Sequence, residues 1–198
     1  MKIFRFFLHT SADGDLQNND ITVKVLPDTA MLIQKRPFFI PDFTQECKVQ
    51  LCYAVRINRL GRSIHAKFAN RYYTANEIML GAHFVARDLL EKLKKECKPY
   101  DIAVGFDNAV VLSESYNEDL SDKPKARIEI DSNLYQYPFD LNLYALVDQL
   151  IAEISEFYTL KQGDILLIPV SPEEHQVEID NRVSLCLNDK KLTSFNVK

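Results

Sequence analysis

The chain has 198 residues, with 24 Lys+Arg against 28 Asp+Glu for a formal net charge of −4, and 46% of its residues are hydrophobic. A chain of this length buries roughly 70% of its unfolded surface and fits one core, so residues 1–198 are expected to form one domain. The acidic balance argues against the clustered basic face by which a nucleic-acid binder displaces phosphate counterions, and the basic stretch from Lys92 to Lys98 is itself broken by Glu96.

Apolar runs such as Ile165 to Val170 fall far short of the roughly 20 residues of a membrane span. The opening Met1-Lys2-Ile3-Phe4-Arg5 has no signal-peptide cleavage pattern. A cytoplasmic protein without a membrane or nucleic-acid partner is expected. The four cysteines, Cys47, Cys52, Cys97 and Cys186, form no C-x-x-C pair and read as free thiols, not as disulfides or a zinc site.

In chain order, short apolar runs surround a polar loop from Ser11 to Asp20, and the core is expected to begin after it. Val49, Leu51, Tyr53, Val55 and Ile57 alternate with Gln50, Cys52, Ala54 and Arg56, the period of two that predicts a strand with distinct faces. Asn58 to Gly61 supplies turn chemistry. Phe84, Val85, Leu89, Leu90, Leu93 and Cys97 predict an amphipathic helix over Phe84 to Cys97, stopped by Lys98-Pro99. A second helix is predicted over Asn142 to Tyr158 through Leu143, Leu146, Val147, Leu150, Ile151, Ile154 and Phe157.

Strand-prone runs occupy Ile102 to Leu112, Ala126 to Ile130, Asp164 to Val170, Gln176 to Ile179, Val183 to Leu187 and Leu192 to Val197. The last two flank Asn188-Asp189-Lys190-Lys191, which predicts a hairpin turn. Strands outnumber helices without regular alternation, so the fold class is a β-rich α+β protein and not a doubly wound sheet. Catalytic signatures are sparse. There is no G-x-S-x-G, P-loop, G-x-G-x-x-G or H-E-x-x-H, and the four histidines, His9, His65, His83 and His175, are scattered.

One segment carries a resemblance. Gly81-Ala82-His83-Phe84-Val85-Ala86-Arg87-Asp88-Leu89-Leu90, then Lys98-Pro99, then Ile102-Ala103-Val104-Gly105-Phe106-Asp107, resembles the central segment of the fumarylacetoacetate hydrolase family. Weaker matches keep the right order: Pro27-Asp28-Thr29-Ala30, Pro37 to Phe43, Val49-Gln50-Leu51 leading to Asn58 through Ile64, Leu160 to Ile165, and Lys190 to Phe195.

The resemblance implies a β-roll of mixed sheets with a few flanking helices, forming a homodimer. Residues 1–40 would be a shortened or divergent lid region and 41–198 the catalytic-type core. Family members hold the 2-oxo-carboxylate end of a substrate on Mg²⁺ or Mn²⁺ and hydrolyse, decarboxylate, hydrate or isomerise it. The ion is held by a Glu-x-Glu pair on a strand and by an aspartate before the Ala-Arg-Asp helix. Carboxylates suit such ions because the ions are hard, and residues two apart on a strand share a face.

Here the metal-ligand positions hold Lys48, Gln50 and His83. The substrate-binding positions hold Val104, where the family has a lysine, and Val170, within Pro169-Val170-Ser171-Pro172 in place of a Gly-Thr-Pro loop. His9 has Ala12 three residues on, so the histidine–acid pair of the family lid is not recognisable. Replacing about three negative charges by about one positive charge turns attraction into repulsion, each unit charge at about 4 Å being worth roughly 4 kcal/mol at an effective dielectric near 20.

The expectation is therefore a catalytically impaired family member with no cofactor. It would keep a cavity in which Lys48 and His83 hold a small carboxylate, more strongly as His83 protonates below its ordinary value near 6.5. Restoring acids by Lys48→Glu, Gln50→Glu and His83→Asp should raise divalent affinity. Two alternatives stand beside it. One is an active metal-dependent hydrolase, isomerase, hydratase or decarboxylase of a 2-oxo acid, its site built from His83 with Glu46 or Glu77. The other is a structural subunit partnering an active paralogue.

Overall fold

The computed structural model describes residues 1–7, 22–33, 36–117, 120, 124–138 and 142–198. In chain order the strands are β1 (Ile3–Phe7), β2 (Thr22–Leu26), β3 (Cys47–Arg56), β4 (Met79–Ala86) and β5 (Val110–Leu112). They continue with β6 (Lys125–Ile130), β7 (Asn133–Pro138), β8 (Ile165–Pro169), β9 (His175–Gln176), β10 (Arg182–Leu187) and β11 (Lys190–Asn196). The helices are α1 (Arg87–Lys95), α2 (Asp101–Val104) and α3 (Leu143–Phe157), with short 3-10 turns between elements.

Two sheets result. The larger runs β2-β1-β8-β3-β4-β5 with β9 also paired to β3, and the smaller runs β11-β10-β6-β7. The larger sheet is mixed, because β1 and β8 pair in parallel while its other pairs are antiparallel.

The alternation in β3 has the predicted consequence. Val49, Leu51, Tyr53 and Val55 enter the core between the two sheets and α3, whereas Cys52 and Ala54 join a second apolar cluster with residues of α1 and α2. In that central core Phe38 stacks on Phe84 with ring centroids 3.6 Å apart. At the sheets' edge, Tyr137 Oη lies 2.5 Å from Nε2 of His175. Cys47, Cys52 and Cys186 are buried free thiols and Cys97 is an exposed one.

The sequence expectations need four corrections. Phe84, Val85 and Ala86 belong to β4, and the helix starts only at Arg87. The strand expected over Ile102 to Leu112 is a helical turn followed by the short β5. Gln176 to Ile179 contributes only Gln176 to a strand. At the N-terminus, Ile3–Phe7 lies inside the larger sheet between β2 and β8, so this part of residues 1–40 is core. Strands β2 and β7 were also absent from the sequence expectation. The loop Ser11 to Asp20 lies outside the described residues.

Helix α3 is fixed at both ends. Asn142 Oδ1 accepts from Ala145 N at 3.1 Å, an N-cap that satisfies one of the helix's free amides. Near the other end, fully buried Ser155 accepts from Ile64 N at 2.8 Å and donates to Ala152 O at 2.9 Å. Ser155→Ala leaves the Ile64 amide without its partner and should cost about 2 kcal/mol. A urea titration would show this as a lowered midpoint at unchanged slope; an unmoved midpoint would contradict the role.

Candidate functional site

The register of β3 against β4 places Gln50 directly opposite His83. Two of the positions that the resemblance pointed to are thus neighbours in space. Glu46 precedes β3, and Glu77 precedes β4.

Between Gln50 and His83 sits a residue that the sequence did not single out. Arg5, from β1, is 1% exposed. Its Nε donates to His83 Nδ1 at 3.1 Å, one terminal nitrogen donates to Gln50 Oε1, and the other to Phe6 O. The Phe7 ring lies 4.8 Å from the guanidinium carbon. Among the described residues no carboxylate forms an ion pair with Arg5.

These contacts dictate the protonation of His83. A guanidinium only donates, so His83 Nδ1 must accept, and the ring proton is on Nε2, which donates to Val104 O at 2.7 Å. Burial first, and then the Arg5 charge, push the ring from its ordinary 6.5 down to about 3, against the opposing pull of the Val104 carbonyl. The expectation that His83 gains charge as pH falls below 6.5 is corrected: the imidazole stays neutral there.

The remaining expected positions divide. Gln50, 6% exposed, uses its amide nitrogen to donate to Ser171 O at 2.7 Å, fixing the segment that follows β8. Val104 contributes its backbone carbonyl to His83, and Val170 is tied through its amide to Leu51 O at 2.9 Å. Lys48 lies apart from the Arg5 group in its bonding: its ammonium pairs with Glu46 at 2.9 Å. His9 lies outside the described residues.

The Ala-Arg-Asp motif has a scaffolding part in this chain. Arg87 pairs with Glu91 on its own helix and with Glu174 at 3.2 Å in the segment after β8. Asp88 accepts from Thr44 Oγ1 at 2.5 Å and from Gln45 N at 3.0 Å, and so holds the turn that leads into β3. Burial pushes the Asp88 carboxyl up, but these hydrogen bonds and the amides at the start of α1 outweigh it and leave the group below its ordinary value.

A divalent ion does not fit this group of residues. Mg²⁺ and Mn²⁺ take hard, mostly anionic oxygen ligands. Positions 50 and 83 instead offer a neutral amide oxygen and an imidazole nitrogen, both already engaged by a permanently charged guanidinium. The signal for Arg5 in the sequence was a single cation inside the apolar run Ile3-Phe4-Arg5-Phe6-Phe7.

Comparison with known proteins agrees with this architecture. Residues 11–172 match the family described as fumarylacetoacetate (FAA) hydrolase C-terminal. The fold is similar to that of fumarylpyruvate hydrolase from Pseudomonas aeruginosa, solved in complex with Mn²⁺ and pyruvate: 15% identity, TM-score 0.83, covering 100% of this chain and 89% of that one. It is also similar to 5-carboxymethyl-2-hydroxymuconate delta-isomerase from Mycobacterium smegmatis, at 20% identity and TM-score 0.82, covering 99% and 76% of the two chains. A third similar structure is 2-hydroxyhepta-2,4-diene-1,7-dioate isomerase from Mycobacterium marinum, with 17% identity, TM-score 0.80 and coverage of 99% and 73%. No curated protein matches the chain. With its β-rich fold of mixed sheets and a family match over most of its length, the chain belongs to the fumarylacetoacetate hydrolase family.

Proposed function

We propose that this chain keeps the family scaffold without metal-dependent turnover and acts as a binding protein for a small carboxylate, as a cytoplasmic homodimer. The observation that carries this reading is the buried Arg5 charge, 1% exposed and with no carboxylate ion-paired to it among the described residues. A charge held out of water is costly unless paired, and three neutral acceptors compensate it only in part. A carboxylate ligand completes the pairing through the guanidinium's remaining donors, and charge-assisted hydrogen bonds are roughly twice as strong as neutral ones. Lys48, half-buried and already paired with Glu46, is the weaker of the two anchors.

Titration with pyruvate and with oxaloacetate, followed by NMR and melting temperature, tests the reading. Saturable binding at millimolar concentration is expected, with little difference between pH 6 and pH 8, since Arg5 is charged and His83 neutral at both values. Absence of any perturbation at millimolar ligand would leave the structural-subunit reading in its place. The enzyme reading rests on the neighbours named as hydrolases and isomerases. It requires Mn²⁺-dependent consumption of a 2-oxo acid by the purified protein, and such turnover would overturn the proposal.

A further inference from the structure

Two of the three positions that resemble the family's metal ligands, 50 and 83, contact a cation, and that cation is part of the chain. Arg5 is paired with Leu167 in the parallel β1–β8 ladder, and Leu167 is in turn opposite Ala54 of β3. From that level the arginine side chain reaches along the sheet to Gln50 and His83, which face each other across β3 and β4. We propose that Arg5 is a built-in replacement for the divalent ion, so that strand β1 and a metal ion are mutually exclusive occupants of the same ligand positions. The proposal rests on reading 48, 50 and 83 as those positions, and it is independent of whether a carboxylate binds.

The physical chemistry favours the tethered cation. A guanidinium stays charged at any working pH, is more weakly hydrated than an ammonium, and presents a planar fork to its acceptors. Being covalently attached, it pays no translational entropy on entering the site. Neutral Gln50 and His83 suffice for it, whereas a divalent ion needs anionic oxygens.

One consequence reverses an expectation from the sequence. Restoring acids at 48, 50 and 83 while Arg5 is present creates an arginine–carboxylate pair, which is the preferred partner of that fork, and not a vacant metal site. Metal binding requires the acids and the removal of the arginine together.

The test is a four-way comparison of Mn²⁺ binding by calorimetry and electron paramagnetic resonance. It uses the wild-type chain, Arg5→Met, the triple variant Lys48→Glu/Gln50→Glu/His83→Asp, and the quadruple variant combining them. Methionine is chosen because its flexible apolar chain fills irregular space. A saturable one-to-one site is expected only in the quadruple variant, at least tenfold tighter than any binding by the triple variant. Mn²⁺ should raise the melting temperature of the quadruple variant alone. The proposal is overturned if the triple variant binds Mn²⁺ as tightly as the quadruple, or if a folded quadruple variant binds no better than the triple.

Should the quadruple variant not fold, Gln50→Glu decides the matter while leaving Arg5 in place. It gains a charged partner for Arg5 but loses the donation to Ser171 O, so its readout is the metal: no saturable Mn²⁺ binding and no rise in melting temperature on adding Mn²⁺ are expected. A saturable Mn²⁺ site in this variant, or a melting temperature that climbs with Mn²⁺, would reject the exchange. Failure of pyruvate or oxaloacetate to bind the wild-type chain would remove the proposed function and leave these outcomes unchanged.

Discussion

Acidification should destabilise the protein through His83, and the loss should disappear when that ring is replaced. In the unfolded chain the imidazole takes up a proton as pH falls through about 6.5. In the folded protein burial and the adjacent Arg5 hold it neutral down to about 3. Between these values the unfolded state binds the extra proton, so stability falls as pH falls; above 6.5 the neutral ring carries no penalty in either state. The expected slope is about 1.4 kcal/mol per pH unit once pH is well below 6.5. His83→Gln supplies the control, since an amide can donate to Val104 O and accept from Arg5 Nε without titrating. Carboxylates such as Asp88 also lose stabilising hydrogen bonds in acid, but they do so in both proteins and cancel in the difference. Denaturant unfolding at pH 6, 5 and 4 should give a steeper decline for wild type; parallel declines would show that His83 does not remain neutral in the folded state.

This coupling marks where the sequence was informative and where it was silent. Strand β3 was legible, although nearly all of it is buried, because large apolar residues on the face toward the central core alternate with small or polar ones, Lys48, Gln50, Cys52, Ala54 and Arg56, on the other. Strand β4 is buried at all eight positions, so it has no polar face to reveal its period, and Phe84 and Val85 merged with the apolar stripe of the following helix. Helix α3, with its cap at Asn142, was read to within a residue at each end.

The site was half legible. The resemblance pointed to positions 48, 50 and 83, and the strand register sets Gln50 opposite His83. Arg5 stands 45 residues from Gln50 and 78 from His83, so no local pattern could tie them. An arginine in an apolar strand announces only that some buried partner exists; identifying that partner requires the order of strands in the sheet.

The placement of Arg5 depends on where β1 begins, and Asp164→Ala should disturb it at a cost of about 3 to 5 kcal/mol. Asp164 is fully buried in the turn before β8. One carboxylate oxygen accepts from Lys2 N at 2.8 Å, and the other accepts from Lys161 N at 2.9 Å and pairs with Lys2 Nζ at 2.7 Å. The aspartate therefore anchors the residue preceding β1 to the residue preceding β8, which are parallel neighbours in the sheet. Alanine leaves two amides without their acceptor and the Lys2 ammonium, 26% exposed, without its counter-ion and with Thr159 O at 3.2 Å as its remaining acceptor. Asp164→Asn should cost less, because its amide oxygen can still accept from one of the two amides, but its NH₂ group would then face the other donor. For a chain of this size the alanine variant should melt roughly 6–20 °C lower, at about 2–4 °C per kcal/mol. A register slip of one residue would turn Arg5 to the opposite face of the sheet, away from Gln50 and His83. Amide exchange at Arg5 and Phe6 should accordingly accelerate more than exchange in β10, which lies in the other sheet. Equal acceleration in both sheets would mean that Asp164 supports global stability without setting the register of β1.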